Sequence, residues 1–341
     1  MMLKVILSKY FTKLIYPTYP GDWYKRKGYN GFSPQELFAD FIQKQKITGS
    51  IYHKEFQLLK FTRRFIISGN HKIDSVEIKP YTKISKNQPG NGLYILCFFG
   101  KGEYYESRFR DMALFAKNTG ATIVAFNPKG FHTSTGKTKC LSDIAQDGIA
   151  IIDHLLTRSI HPAQIILYGN SLGAVVQELV CRHFKHSRSI NFRQINSNSF
   201  STLTAVIMAN SKIAFLEKIV SYLMKYAGWE IDYPEDFYKT GIYRCYLTRK
   251  GDKIIKPNIS FGNKVNMSID LANAPVGYQE TLKWLNERSE LITIISTNKD
   301  PHELSLNNLC LETKDKEGTN LTVWDFINKY LEASNRFIFV K

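Results

Sequence analysis

The residues with the clearest chemical potential are Gly169-Asn170-Ser171-Leu172-Gly173, a G-x-S-x-G pentapeptide. A serine hydroxyl becomes a nucleophile when the backbone bends sharply enough to present it beside a base, and small residues on both sides permit that bend. Composition alone can produce five such residues, so their flanks decide the reading. Gln164 to Tyr168 is an apolar run of strand length, and Ala174 to Phe184 carries an apolar helical face. The serine therefore falls on a strand-to-helix turn, with Gly169, Asn170 and Gly173 completing a nucleophile elbow. Leu172 opens the helix, so its backbone N–H and the positive helix end point where an oxyanion would form. A glycine-rich turn that only packs a helix on a strand is the plainer alternative.

Such a turn needs a sheet to hold it. Phe61, Phe65 and Ile67 alternate with Thr62, Arg64 and Ser68, and Gly69-Asn70 then turns the chain into Ile73 to Ile78, which predicts an antiparallel hairpin. Apolar runs follow at Leu93–Phe99, Thr122–Phe126, Gln164–Tyr168, Tyr243–Leu247 and Leu291–Ile295, with helical patterns over 103–118 and 141–157 between the first three. That alternation predicts an α/β chain with a mostly parallel sheet covered on both faces. The stretch 201–228 is apolar and helical; a cap over a pocket (201–240) and a pair of ordinary sheet-covering helices both fit it. Residues 35–46 also read as helical.

At the N-terminus, Leu3, Ile6, Leu7, Tyr10, Phe11, Leu14 and Ile15 line one face of a helix, with Lys4, Lys9 and Lys13 among the residues opposite. Two readings are open: a helix at the surface of an anionic membrane, or one packed on the body. No linker-like stretch sets off residues 1–55, so they are expected to wrap the domain formed by 56–341.

The whole composition narrows the classes. A chain of 341 residues with 43% hydrophobic and 22% charged residues is neither disordered nor collagen-like, and it can bury one large core or two modest ones. Lys and Arg outnumber Asp and Glu by 46 to 30, a net charge of +16, which favours an anionic partner: a membrane surface, nucleic acid or an acidic substrate. Five scattered cysteines without a C-x-x-C pair argue against a zinc ribbon or a disulfide framework and for a reducing compartment. No apolar run reaches transmembrane length, and lysines interrupt any signal-peptide core, so the expectation is a cytoplasmic protein. No nucleic-acid-binding signature accompanies the charge, and none is expected to bind.

With the elbow and its strands in hand, the chain from about residue 56 onward resembles the α/β-hydrolase superfamily. That superfamily orders its residues as nucleophile, acid and histidine. The resemblance implies Asp252, in the Gly251-Asp252-Lys253-Ile254-Ile255 segment after the Tyr243–Leu247 run, as the acid. It implies His302, in the loop after Leu291–Ile295, as the base. Asp300 is too close to His302 in sequence, and Asp232 and Asp236 precede the strand. A second oxyanion donor is expected from the loop Phe98-Phe99-Gly100-Lys101-Gly102-Glu103, where the Lys101 N–H is the candidate. Phe99-Gly100 stands where many relatives carry His-Gly, a departure from the pattern.

The segments FFGKGEYYE (98–106), GNSLGA (169–174) and SNSFSTL (197–203) are similar to those of SidB-like bacterial effector lipases of the Legionella type. That narrower resemblance implies a translocated effector. The expected activity is a serine hydrolase acting on an ester or thioester of a lipid or acyl substrate, needing neither metal nor cofactor. A non-catalytic hydrolase-fold module that binds a host protein or membrane is the rival.

Overall fold

The computed structural model describes residues 2–15, 36, 39–40, 43, 58–81, 86–210, 216–231, 244–261, 290–293, 300, 302, 305–314 and 319–338. Apart from four isolated helical positions, the helix expected over 35–46 lies outside these residues, as do 232–243.

Alternating side chains make the first strands. β1 (Leu59–Ser68) and β2 (His71–Pro80) pair antiparallel with Ser68 opposite His71. Gly69 takes φ 58° in the turn between them, the left-handed conformation that its missing Cβ makes inexpensive. β3 (Tyr94–Phe98), β4 (Thr122–Asn127) and β5 (Ile165–Asn170) follow, almost wholly buried because helices cover both faces. β6 (Arg193–Ser197), β7 (Arg244–Arg249) and β8 (Glu290–Thr293) extend the parallel set, and β9 (Leu309–Lys314) and β10 (Asn320–Thr322) close it antiparallel. Among the described residues the sheet has ten strands in the order β1-β2-β4-β3-β5-β6-β7-β8-β9-β10.

That order defines an α/β-hydrolase fold: a mostly parallel sheet with an antiparallel β2 and an N-terminal hairpin. β3 pairs with β4 on one side and β5 on the other. The chain thus leaves β3 toward one edge and returns to build the other. The carboxyl ends of β3 and β5 flank the crevice that such a reversal opens, the place where open α/β sheets bind ligands.

Period-two alternation divides the core between the two faces. Ile95 and Cys97 point to the face covered by α2 (Phe109–Thr119) and the C-terminal helix, whereas Leu96 and Phe98 point to the face covered by α3 (Leu141–Thr157) and α4 (Leu172–Arg188). The 103–118 pattern resolves into a 3₁₀ turn at Tyr105–Arg108 followed by α2, which ends on left-handed Gly120. The 201–228 stretch forms α5 (Leu203–Ala209) and α6 (Glu217–Ala227). α7 (Val323–Ile338) completes the outer layer.

The N-terminal helix α1 (Met2–Ile15) divides its apolar residues between two flanks. Phe11 and Ile15 are buried in the core, and the Ser8 hydroxyl donates to the Lys139 carbonyl at 2.6 Å, while Leu3, Ile6, Tyr10 and Leu14 remain exposed.

Candidate active site

Ser171 joins β5 to α4 with φ 52° and ψ −123°. A non-glycine residue there costs about 1–3 kcal/mol and persists only when its surroundings over-determine it. The surroundings do so by contact. A Cβ on Gly173 would lie 2.2 Å from the Phe98 carbonyl oxygen, and one on Gly169 would lie 2.4 Å from the Ala174 Cα. Both glycines are therefore set by close backbone approach, which brings the first turn of α4 against the end of β3. The Ser171 N–H donates to the Ser197 carbonyl at 2.9 Å, fastening the bend to the tip of β6. At the first helical position, the Leu172 N–H has no acceptor within its own helix.

The loop after β3 runs directly past this serine. Gly100 approaches so closely that a Cβ there would stand 3.4 Å from the Ser171 Cβ. The Gly100 N–H is already held by the Glu103 carboxylate at 2.8 Å, and Glu103 in turn is paired with Arg108. Lys101, the next residue, lines the same crevice as Ser171.

Asp252 lies three residues beyond β7, after a left-handed Gly251. One carboxylate oxygen accepts the N–H groups of Ile254 and Ile255 at 2.8 and 2.7 Å. The other lies 2.9 Å from His302 Nδ1 and accepts the Asn198 side-chain amide. Burial alone would raise the Asp252 carboxyl; the His302 imidazole, the Ile255 N–H and the Asn198 amide outweigh it and hold the group below its ordinary value. In the tautomer that carries its proton on Nδ1, toward the carboxylate, the imidazole presents Nε2 as an acceptor.

Asp300 takes a different part. Its carboxylate accepts the backbone N–H of His302 at 2.9 Å and of Lys253 at 3.2 Å, joining the two loops rather than the ring. Ser171, Leu172, Gly100, Lys101 and His302 all line one cavity of about 700 Å³. Its other walls are mainly aliphatic: Leu203, Val206 and Ile207 from α5, Ile254 and Ile255, and Leu14 and Ile15 from α1.

Two residues of this site have no role in the sequence reading. Asn198 adopts φ 56° just past β6, and its side chain reaches Asp252 and His302 Nδ1 (2.7 Å). Its only signal was its place in the SNSFSTL segment. Arg249, at the end of β7, donates to the His302 carbonyl at 2.8 Å and to Asn170 Oδ1 at 3.3 Å, so one buried cation ties the histidine loop to the elbow. Burial lowers the Arg249 guanidinium, with Tyr168 and Asp252 acting in the opposite sense. No sequence pattern marks it.

Other nucleophile and base candidates sit poorly for chemistry. Cys97, Cys181 and Cys245 are buried, and burial pushes their thiols well up, away from the thiolate. Burial lowers His132 to about 4, where its ring packs on Tyr104. Among the described residues no cluster of three His, Cys, Asp or Glu side chains is placed to hold a metal ion, and no helix is long and apolar enough to cross a membrane.

Sheet order and serine bend together define an α/β-hydrolase-fold chain. Residues 47–239, more than half of the chain, match the family model of the Chlamydia CHLPS protein (DUF818), and the chain belongs to that family. The matched span holds Lys101, Ser171 and Asn198 and stops before Asp252 and His302. Similar solved structures include an esterase of Pyrococcus furiosus, 16% identical, covering 60% of this chain and 74% of that one with a TM-score of 0.41. An alpha-beta hydrolase from Vibrio vulnificus is 15% identical over 64% of this chain and 75% of its own, with a TM-score of 0.45. A thermostable carboxylesterase from a metagenomic library is 13% identical over 70% and 84%, with a TM-score of 0.42. No curated protein matches the chain.

Proposed function

We propose that the chain is a serine hydrolase that cleaves carboxylic esters or thioesters of lipid or acyl substrates. Ser171 Oγ attacks the carbonyl carbon while His302 Nε2 takes its proton, and the Asp252 carboxylate holds the imidazole and balances its positive charge. The N–H groups of Leu172 and Lys101 receive the oxyanion. The tetrahedral adduct collapses, His302 returns the proton to the departing alcohol or thiol, and an acyl-Ser171 ester remains. Water, deprotonated by the same imidazole, then releases the acid.

The observation that carries the reading is the 2.9 Å Asp252–His302 pair opening on the same cavity as a serine in a strained elbow. The aliphatic walls favour an acyl chain over a polar substituent. Kinship to SidB-like effector lipases, with translocation into a host cell, belongs to this same proposal and rests on the three sequence segments alone.

A fluorophosphonate probe tests it. Labelling is expected on the wild type and absent from Ser171→Ala, together with loss of p-nitrophenyl ester hydrolysis. Labelling that survives Ser171→Ala overturns the assignment. A wild type that neither labels nor turns over any ester of an acyl-length series supports the rival, a non-catalytic module, which Phe99 in place of the family's histidine favours.

A further inference from the structure

Of the twelve large apolar side chains exposed among the described residues, five are on α1 and three on α6. They form two stripes. Leu3, Ile6, Tyr10 and Leu14 recur at helical spacing along α1, on the flank away from buried Phe11 and Ile15. Ile219, Tyr222 and Tyr226 recur likewise along α6, opposite buried Met224 and Ala227. The two helices lie against each other, with Lys4 Nζ 5.9 Å from the centre of the Tyr226 ring and the Tyr222 and Tyr226 rings stacked. Leu3 at 58% and Tyr222 at 67% exposure are far too open to belong to the core.

Charge accompanies the apolar stripes. The pair carries Lys4, Lys9, Lys13, Lys218 and Lys225 against the single acid Glu217, and α1 has no acidic residue at all. Large apolar and aromatic side chains ringed by lysines match the layers of a bilayer surface, acyl boundary within and anionic headgroups above. Leu14 also belongs to the wall of the Ser171 cavity, so the patch runs up to the rim of that cavity.

We infer that the α1/α6 face is a docking surface for an anionic lipid bilayer. Docking stands on exposure and charge alone. That it brings the cavity rim to the source of acyl substrate rests on the hydrolase reading above.

The test is co-sedimentation of the full chain with phosphatidylcholine vesicles containing or lacking phosphatidylglycerol. Binding is expected to the anionic vesicles and to weaken with added salt. The variant Leu3→Ser/Ile6→Ser/Tyr222→Ser should lower partitioning by about 100-fold, since three large apolar groups are withdrawn. It should still hydrolyse a short soluble ester at the wild-type rate. Charge reversal through Lys9→Glu/Lys13→Glu/Lys218→Glu, which disturbs no buried group, should abolish the preference for phosphatidylglycerol. Ser171→Ala should bind vesicles as the wild type does, so loss of hydrolysis and loss of docking read out separately. Absence of vesicle binding by the wild type, or equal binding by all variants, overturns the proposal. So does a wild-type dimer in sedimentation velocity that the triple serine variant dissolves, because the patch would then join two copies of the chain.

Discussion

The two halves of the candidate site are held by different forces. Ser171 is positioned by steric contact: backbone packed on backbone at Gly169 and Gly173, with the bend fastened to the end of β6. Asp252 and His302 stand on loops beyond β7 and β8, and polar bonds position them: Arg249 on the His302 carbonyl, Asp300 on two backbone N–H groups, Asn198 on the carboxylate. A sterically set element fails by losing its fold, whereas a polar one fails by losing its alignment. Substitutions on the two sides should therefore damage different observables.

The largest effect expected is on chemistry from the loop half. Asp252→Asn should lower kcat by about 10⁴-fold with thermal stability nearly intact, the loss typical when the imidazole is held in the wrong tautomer. Steady-state kinetics beside a melting curve checks it, and equal losses in both would erase the contrast between the two halves. Arg249→Met comes next. Releasing the His302 carbonyl and Asn170 should cost about 100-fold in kcat, the scale of a small misplacement of reacting groups, with little change in KM for a short ester.

On the elbow side, Gly173→Ala should appear first in stability. Its Cβ meets the Phe98 carbonyl, a backbone atom that cannot rotate away, and overpacking of this kind costs about 1–3 kcal/mol, read as a lower Tm. The smallest effect concerns pH. The folded Asp252 carboxyl lies below its ordinary value of 3.8. Its ionised form therefore adds stability above that value and loses it as pH falls through the folded value. In urea titrations Asp252→Asn should accordingly lose less stability than the wild type on acidification.

Local pattern carried most of the fold. The hairpin, β3 to β5 and the helices around them all announce themselves by period and punctuation, and the G-x-S-x-G segment fell on its turn because its flanks were an apolar strand and an amphipathic helix. β6 did not. Its sequence, Arg193-Gln194-Ile195-Asn196-Ser197, is polar at four of five positions, yet every residue is buried. The Arg193 guanidinium donates to Ser334, Asn335 and the Ala163 carbonyl, and the Gln194 N–H to the Tyr330 hydroxyl. Three of those four partners lie in α7, far along the chain, beyond the reach of any window. Arg249 and Asn198 escaped for the same reason: their meaning lies in what folding brings beside them. The superfamily's chain order nominated Asp252 and His302; their proximity is a fact of the fold.

Leu14 and Ile15 have a practical consequence. A fragment trimmed to the matched span 47–239 would lack the aliphatic wall they supply as well as the two residues that make the 2.9 Å pair. Recombinant work should start upstream of α1 and carry any affinity tag elsewhere than against that helix. Domain boundaries drawn from sequence similarity and the boundaries of the proposed catalytic site are, for this chain, two different cuts.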